Sequence, residues 1–169
     1  PEDPEGLGLS DQFLLGKDVL VAPIVRPAQT QRLVYLPEGV WYNFWTGERF
    51  EGGEWHHILV SLERLPLFQR AGSAIPLQET QLHTTTAFWP ELIWQICPAA
   101  QIHGTVYSDR GEGPVNGTWD SLEGNFSERK LSLKRGDTER QVSLKLLGFD
   151  TEIHTDPFPG AEYQREFKI

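Results

Sequence analysis

Glycine and proline punctuate this chain so often that the longest run free of both, Leu77 to Trp89, is 13 residues. In a helix interior the two cost roughly 1 and 3 kcal/mol. Long helices are therefore excluded, and short strands joined by turns are what remains. The breaks come from 16 Gly and 12 Pro among 169 residues. Nine Phe, six Trp and four Tyr supply large apolar groups, enough to offset ordering entropy, so the chain folds rather than staying disordered.

The segments between breaks read as strands. Asp18 to Val25 is β-branched and apolar on both faces, as a buried strand is. Gln31 to Leu36 partly alternates and ends on the turn Pro37-Glu38-Gly39. Trp41 to Phe44, His56 to Leu62 and Phe68 to Leu77 continue the pattern, with Glu51-Gly52-Gly53-Glu54 as a further turn. In the second half Glu91 to Cys97, Gly104 to Asp109, Asn125 to Arg135, Glu139 to Leu147, Thr151 to Thr155 and Tyr163 to Ile169 are strand candidates. Turn-to-turn spacing of about 8 to 12 residues predicts antiparallel sandwiches. Only Leu7 to Leu15 reads as helical, with Leu7, Phe13 and Leu14 as its apolar face, Ser10 or Asp11 as N-cap and Gly16 as stop. The polar run Gln78 to Ala87 is the expected break between two units. A unit of about 80 residues buries little more than 60% of its unfolded surface. Each is thus expected to pack against the other and against something outside this sequence, with the apolar N-terminal segment as the contact.

Charge narrows the partners. A net charge of −9, spread over both halves, argues against nucleic acid, whose backbone needs clustered cations. No run approaches the roughly 18 apolar residues of a membrane span, and no signal peptide opens the chain. The expectation is a soluble protein, without a membrane partner and with the cytoplasm favoured. Cys97 is the sole cysteine, so no internal disulfide forms, and no Cys or His pair has zinc-ligand spacing. His56 and His57 are adjacent, so in a strand they face opposite ways; His83, His103 and His154 are isolated. Ser73 lacks the flanking glycines of a nucleophile elbow. No metal and no cofactor is expected. The chain contains no methionine, which points to a piece of something longer.

The order of motifs carries a resemblance. Asp11-Gln12-Phe13-Leu14-Leu15-Gly16, then Val19-Leu20-Val21-Ala22-Pro23-Ile24, then Val34-Tyr35-Leu36-Pro37 with Gly39 and Trp41-Tyr42, then Thr46-Gly47 and Gly52-Gly53, resembles the C-terminal region of glycoside hydrolase family 31. The likeness continues through Leu65-Pro66-Leu67-Phe68-Gln69-Arg70-Ala71-Gly72-Ser73-Ala74-Ile75-Pro76-Leu77 and the turn around Gly104, Tyr107, Asp109, Gly111 and Glu112. The second aspartate of the family's turn is Arg110 here. The resemblance covers residues 1 to 113 and implies a retaining α-glycosidase, of α-glucosidase type, in which a (β/α)₈ barrel is followed by two β-sandwiches. It further implies an all-β chain of two antiparallel sandwich domains with a short helical remnant at its start. Residues 1–17 would be the remnant after the barrel's last strand, 18–80 the proximal sandwich and 81–169 the distal one, whether whole or truncated.

Such an enzyme needs two carboxyl groups about 5 to 5.5 Å apart on a rigid scaffold. The family's nucleophile lies in a Trp-x-Asp-Met-Asn-Glu type motif, which a chain without methionine cannot hold unaltered. Trp119-Asp120 is the nearest echo and reads as a surface turn. The resemblance thus implies no catalytic residue in this chain, whose role would be to brace the barrel, its partner in the same polypeptide. The aromatic run Trp41, Tyr42, Phe44, Trp45, Phe50 and Trp55 reads first as core and interdomain packing. Trp41, Trp45 and Trp55 are also the candidate saccharide contacts, with oligosaccharide as the second partner. An autonomous carbohydrate-binding module built on them is the rival reading.

Overall fold

The computed structural model of the chain describes residues 3–78, 91–108, 117–136, 141–148, 153–154 and 162–166. The Asp109 to Gly113 turn, His83 and all of the Gln78 to Ala87 break except Gln78 lie outside the described residues. Among those described, one 3₁₀ turn at Gly6–Gly8 is followed by fifteen strands. They divide into two compact units, Pro1–Ala71 and Gly72–Ile169.

Unit 1 contains β1 (Phe13–Leu15), β2 (Val19–Val21), β3 (Gln31–Leu36), β4 (Val40–Asn43), β5 (Arg49–Glu51), β6 (Glu54–Leu59) and β7 (Leu67–Arg70). Five form an antiparallel sheet in the order β1-β2-β7-β4-β5, and β3 pairs with β6 in a second sheet. Period-2 patterning sets which face of β3 turns inward: Arg32, Val34 and Leu36 are buried while Gln31 and Leu33 are exposed. Val34, Leu36 and Ile58 from the two-stranded sheet meet Leu20, Trp41 and Phe68 from the five-stranded one. Phe50 closes the core edge-on to Phe68, with ring centroids 5.5 Å apart. Burying each such side chain stabilises the unit by about 1.5–3 kcal/mol.

The expected helix over Leu7 to Leu15 does not form. Its first part is the 3₁₀ turn and its last part is β1, whose three residues are all exposed. Gly16, at φ +66°, closes the β1–β2 hairpin instead of ending a helix. An amphipathic helix needs a surface to receive its stripe; here Leu7, Phe13 and Leu14 stay on the outside.

Unit 2 contains β8 (Ala74–Leu77), β9 (Glu91–Ile96), β10 (Ile102–Ser108), β11 (Thr118–Ser127), β12 (Lys130–Arg135), β13 (Gln141–Leu146), β14 (Ile153–His154) and β15 (Glu162–Glu166). Its sheets are ordered β10-β11-β12-β15 and β14-β13-β9-β8. Among the described strands of this unit the pairings are antiparallel except β9 with β13, which run parallel from Glu91↔Gln141 to Ile96↔Leu146. Three boundaries differ from the sequence expectation. The run Phe68 to Leu77 is two strands in different units, since Ala74 to Leu77 pair with β9; the division falls at 71/72 rather than 80/81. Asn125 to Arg135 is the end of β11 and the whole of β12, reversed at Glu128 (φ 48°) and Arg129 (φ 67°). Two positive φ values match the mirror-image turn that suits strand twist, here without glycine.

The core of unit 2 lies between its sheets. Leu92, Trp94 and Ile96 of β9 and Val142, Leu144 and Leu146 of β13 meet Ile102, Val106, Leu122, Leu131 and Leu133. Trp94 has no exposed surface, and Gly104 on β10 makes its room. A Cβ there would run into the Ala74 carbonyl oxygen and stand 2.7 Å from the Trp94 ring. Gly104→Ala should therefore destabilise by about 1–3 kcal/mol through overpacking, outweighing the loss of unfolded-chain entropy that favours alanine. Urea unfolding checks this, and a raised midpoint would refute the close fit.

Candidate functional site

The N-terminal segment of unit 1 is clasped to the sheets by polar side chains. Strand β3 pairs with β6 alone, which leaves its other edge open. Gln12 fills that edge at Tyr35: its amide Nε2–H donates to the Tyr35 carbonyl at 2.6 Å, and its Oε1 accepts the Tyr35 N–H at 3.1 Å. One residue earlier, Asp11 forms an ion pair with the buried Arg32 at 3.1 Å. The same guanidinium donates to the carbonyls of Asp11 and Pro23. A guanidinium this deep is retained because its charge is paired with Asp11 and its Nη1 group donates to two carbonyls.

Further along, the Tyr35 hydroxyl donates to Asp3 Oδ2 at 3.0 Å, and the Trp55 Nε1–H donates to Glu5 Oε1 at 3.1 Å. The Tyr35 and Trp55 rings lie 5.4 Å apart. Burial, then the hydrogen bond to Asp3 and the nearby negative charges, raise the Tyr35 hydroxyl above its ordinary pKa of 10.0. Held this way, the segment turns Leu7, Phe13, Leu14 and Leu15 outward at 74%, 55%, 45% and 65% exposure. A cavity of about 830 Å³ opens beside them, lined in part by Leu7, Phe13, Leu14, Tyr35 and Arg70. Large exposed apolar side chains gathered next to a cavity mark an interaction surface.

The three candidate tryptophans are not brought together. Trp41 is fully buried, donates its Nε1–H to the Pro37 carbonyl at 2.7 Å, and lies 4.2 Å beneath the Arg70 guanidinium. It offers a sugar no surface. Arg70 reaches the Glu38 and Lys17 carbonyls at 3.0 and 3.3 Å, and its pKa is lowered by burial, with Asp18 opposing. Trp45 is half-exposed beyond β4, against Phe44, with its Nε1–H on the Leu65 carbonyl at 2.7 Å. Trp55 belongs to the other sheet. No ring contact joins any two of the three among the described residues.

Other sequence candidates fall in structural places. His56 and His57 occupy β6, the first hydrogen-bonded to the Glu51 carbonyl at 2.7 Å and the second exposed. Ser73 is buried and His103 lies on β10 opposite Glu123. Trp119-Asp120, expected as a surface turn, is instead within β11 with Trp119 exposed and Asp120 buried. The alternation of the strand separates the pair onto two faces. Trp119, passed over as a turn, is the most exposed aromatic side chain described; its place opposite Tyr107 is set by the β10–β11 register, which the sequence does not display.

The fold defines a class, an all-β chain of two β-sandwich units. Residues 1–75 match the glycosyl hydrolase family 31 C-terminal domain. The chain is 46% identical over 84 residues to Alpha-glucosidase 2 of Bacillus thermoamyloliquefaciens, covering 50% of this chain and 11% of that protein. It is 29% identical over 155 residues to the Alpha-xylosidase of Saccharolobus solfataricus, covering 85% and 20%. Its fold is similar to the GH31 alpha-xylosidase of Xanthomonas citri at a TM-score of 0.79 and 29% identity, covering 99% of this chain and 21% of that one. The GH31 dextranase of Flavobacterium johnsoniae, solved with isomaltotriose, gives 0.78 and 26%, covering 86% and 20%. These matches support a glycoside hydrolase family 31 C-terminal β-sandwich region, and the chain spans 11% to 21% of these relatives' length.

Two outcomes follow from the geometry of unit 1. Trp41→Ala removes a fully buried ring and should cost about 3–5 kcal/mol, whereas Trp45→Ala should cost less; an unchanged midpoint for Trp41→Ala in denaturant unfolding would refute its core role. Tyr35 has a raised folded-state pKa, so its contribution is fully present below about pH 10 and is lost as pH rises through the folded value. Melting temperature followed across that alkaline range should fall less steeply for Tyr35→Phe than for the native chain.

Proposed function

We propose that this chain is the non-catalytic C-terminal portion of a retaining α-glycosidase, of α-glucosidase type, that hydrolyses O-glycosidic bonds in carbohydrate metabolism. Its role is to brace the catalytic barrel of the same polypeptide. The observation that carries this reading is the exposure of all three apolar residues of β1, Phe13, Leu14 and Leu15, next to a segment tied to β3 through Gln12, Asp11 and Asp3. Ordered apolar surface of this kind is stabilised by a partner that covers it. A binding module built on the Trp41 to Trp55 cluster is less well supported, since Trp41 is buried and Trp45 and Trp55 belong to different sheets.

Two measurements test the reading. The 169-residue chain incubated with an aryl α-glucoside should release no aglycone; turnover that disappears on Asp109→Asn or Glu112→Gln would overturn the non-catalytic role. In the polypeptide that joins this chain to its barrel, Phe13→Asp with Leu14→Asp should shorten the half-life of activity on heating severalfold, with KM unchanged at low temperature. An unaltered half-life would refute the bracing role.

A further inference from the structure

The outer face of sheet β10-β11-β12-β15 in unit 2 carries chemistry that the bracing role does not use. Trp119 stands on it with 71% of its surface exposed. Across the strand pair it faces Tyr107, with ring centroids 5.2 Å apart. Tyr107 is itself fixed: Gly117 has no side chain, and any Cβ there would run into the tyrosine ring. The indole is therefore presented by a strand and backed by a held ring, at little further cost in side-chain entropy on binding.

Along β11 the same face continues through Ser121, Glu123 and Asn125. At about 3.4 Å per residue, Trp119 to Asn125 spans roughly 20 Å, the length of several linked sugars. Beyond Glu123 the register sets Lys134 and then Glu162 alongside, so opposite charges alternate across the sheet. Asn125, Ser132 and Gln164 add neutral donors and acceptors around a hollow of about 200 Å³. Alternating charge gives neither a polyanion nor a polycation an advantage. A flat ring beside a carpet of amide, hydroxyl and paired charged groups matches a neutral ligand with apolar ring faces and hydroxyl edges.

We propose that this face binds an oligosaccharide, with Trp119 stacking on a sugar ring and the groups around Glu123, Asn125 and Gln164 taking its hydroxyls. That the sugars are α-linked glucose units rests on the α-glycosidase reading; the platform itself does not.

Titration of the chain with maltoheptaose, isomaltotriose and cellohexaose, followed by tryptophan fluorescence, tests the proposal. A saturable quench with α-linked chains, weakened about tenfold or more in Trp119→Ala and partly kept in Trp119→Phe, supports it, provided the variants melt like the native chain. A quench that survives Trp119→Ala and vanishes in Trp45→Ala with Trp55→Ala overturns it. Absence of a quench with every sugar also overturns it. Trp119-dependent binding of cellohexaose alone supports the platform and overturns the α-linked assignment. In the barrel-bearing polypeptide, an indole already shielded from acrylamide before sugar is added would make this face an internal interface and overturn the proposal.

Discussion

Burial of one indole between facing sheets is the interaction on which each unit depends. Short strands cannot stabilise themselves, and a sheet with one apolar face has to find another. In unit 1 the meeting point is Trp41, covered by Arg70 on the neighbouring strand and tied by its N–H to Pro37. In unit 2 it is Trp94, whose ring takes the volume that Gly104 leaves empty. The two solutions differ in kind. One places a cation over the ring and so lets a charged strand end share the core boundary; the other removes a side chain altogether. Both depend on register, because a slip of one residue would turn either indole to the opposite face.

Much of this was legible where physics is local. Gln31 to Leu36 alternates and forms β3 over those same residues, and the turn signals at Pro37-Glu38-Gly39 fall between β3 and β4. Misreadings arise where the deciding partner is remote or lacks a residue signature. Leu7, Phe13 and Leu14 have helical spacing, but Gln12 and Asp11 bind the β3 edge and Arg32 and draw the segment straight. The Glu128-Arg129 reversal adopts positive φ without Gly or Asn, so nothing in its composition announced a turn. Parallel pairing of β9 with β13 joins segments far apart in sequence, which no short window shows.

The candidate site shows the same division. Residue type correctly marks tryptophans as important, yet exposure decides what each can do. Trp41, Trp45 and Trp55 cluster in sequence, but a strand alternates its faces and a sandwich has two sheets, so nearness along the chain did not become one patch. Trp119, alone in sequence and followed by an aspartate, gains its company only through the register that sets Tyr107 opposite.

The two surfaces left uncovered by these cores differ chemically, and the difference bears on how each is used. Around Phe13, Leu14 and Leu15 three large apolar side chains stand exposed in succession, with Asp3, Gln12, Glu38 and Arg70 at the rim of the neighbouring cavity. Interfaces of that composition resemble a core cut in half and suit a permanent partner. On the Trp119 face one ring stands beside Tyr107, and further along the sheet amides, hydroxyls and alternating charges stay well hydrated when empty. Such a face loses little by standing open in water, and a ligand must replace hydration with equivalent hydrogen bonds, which keeps binding reversible. On the two proposals made above, the first surface would hold the chain to a catalytic barrel while the second exchanges ligands.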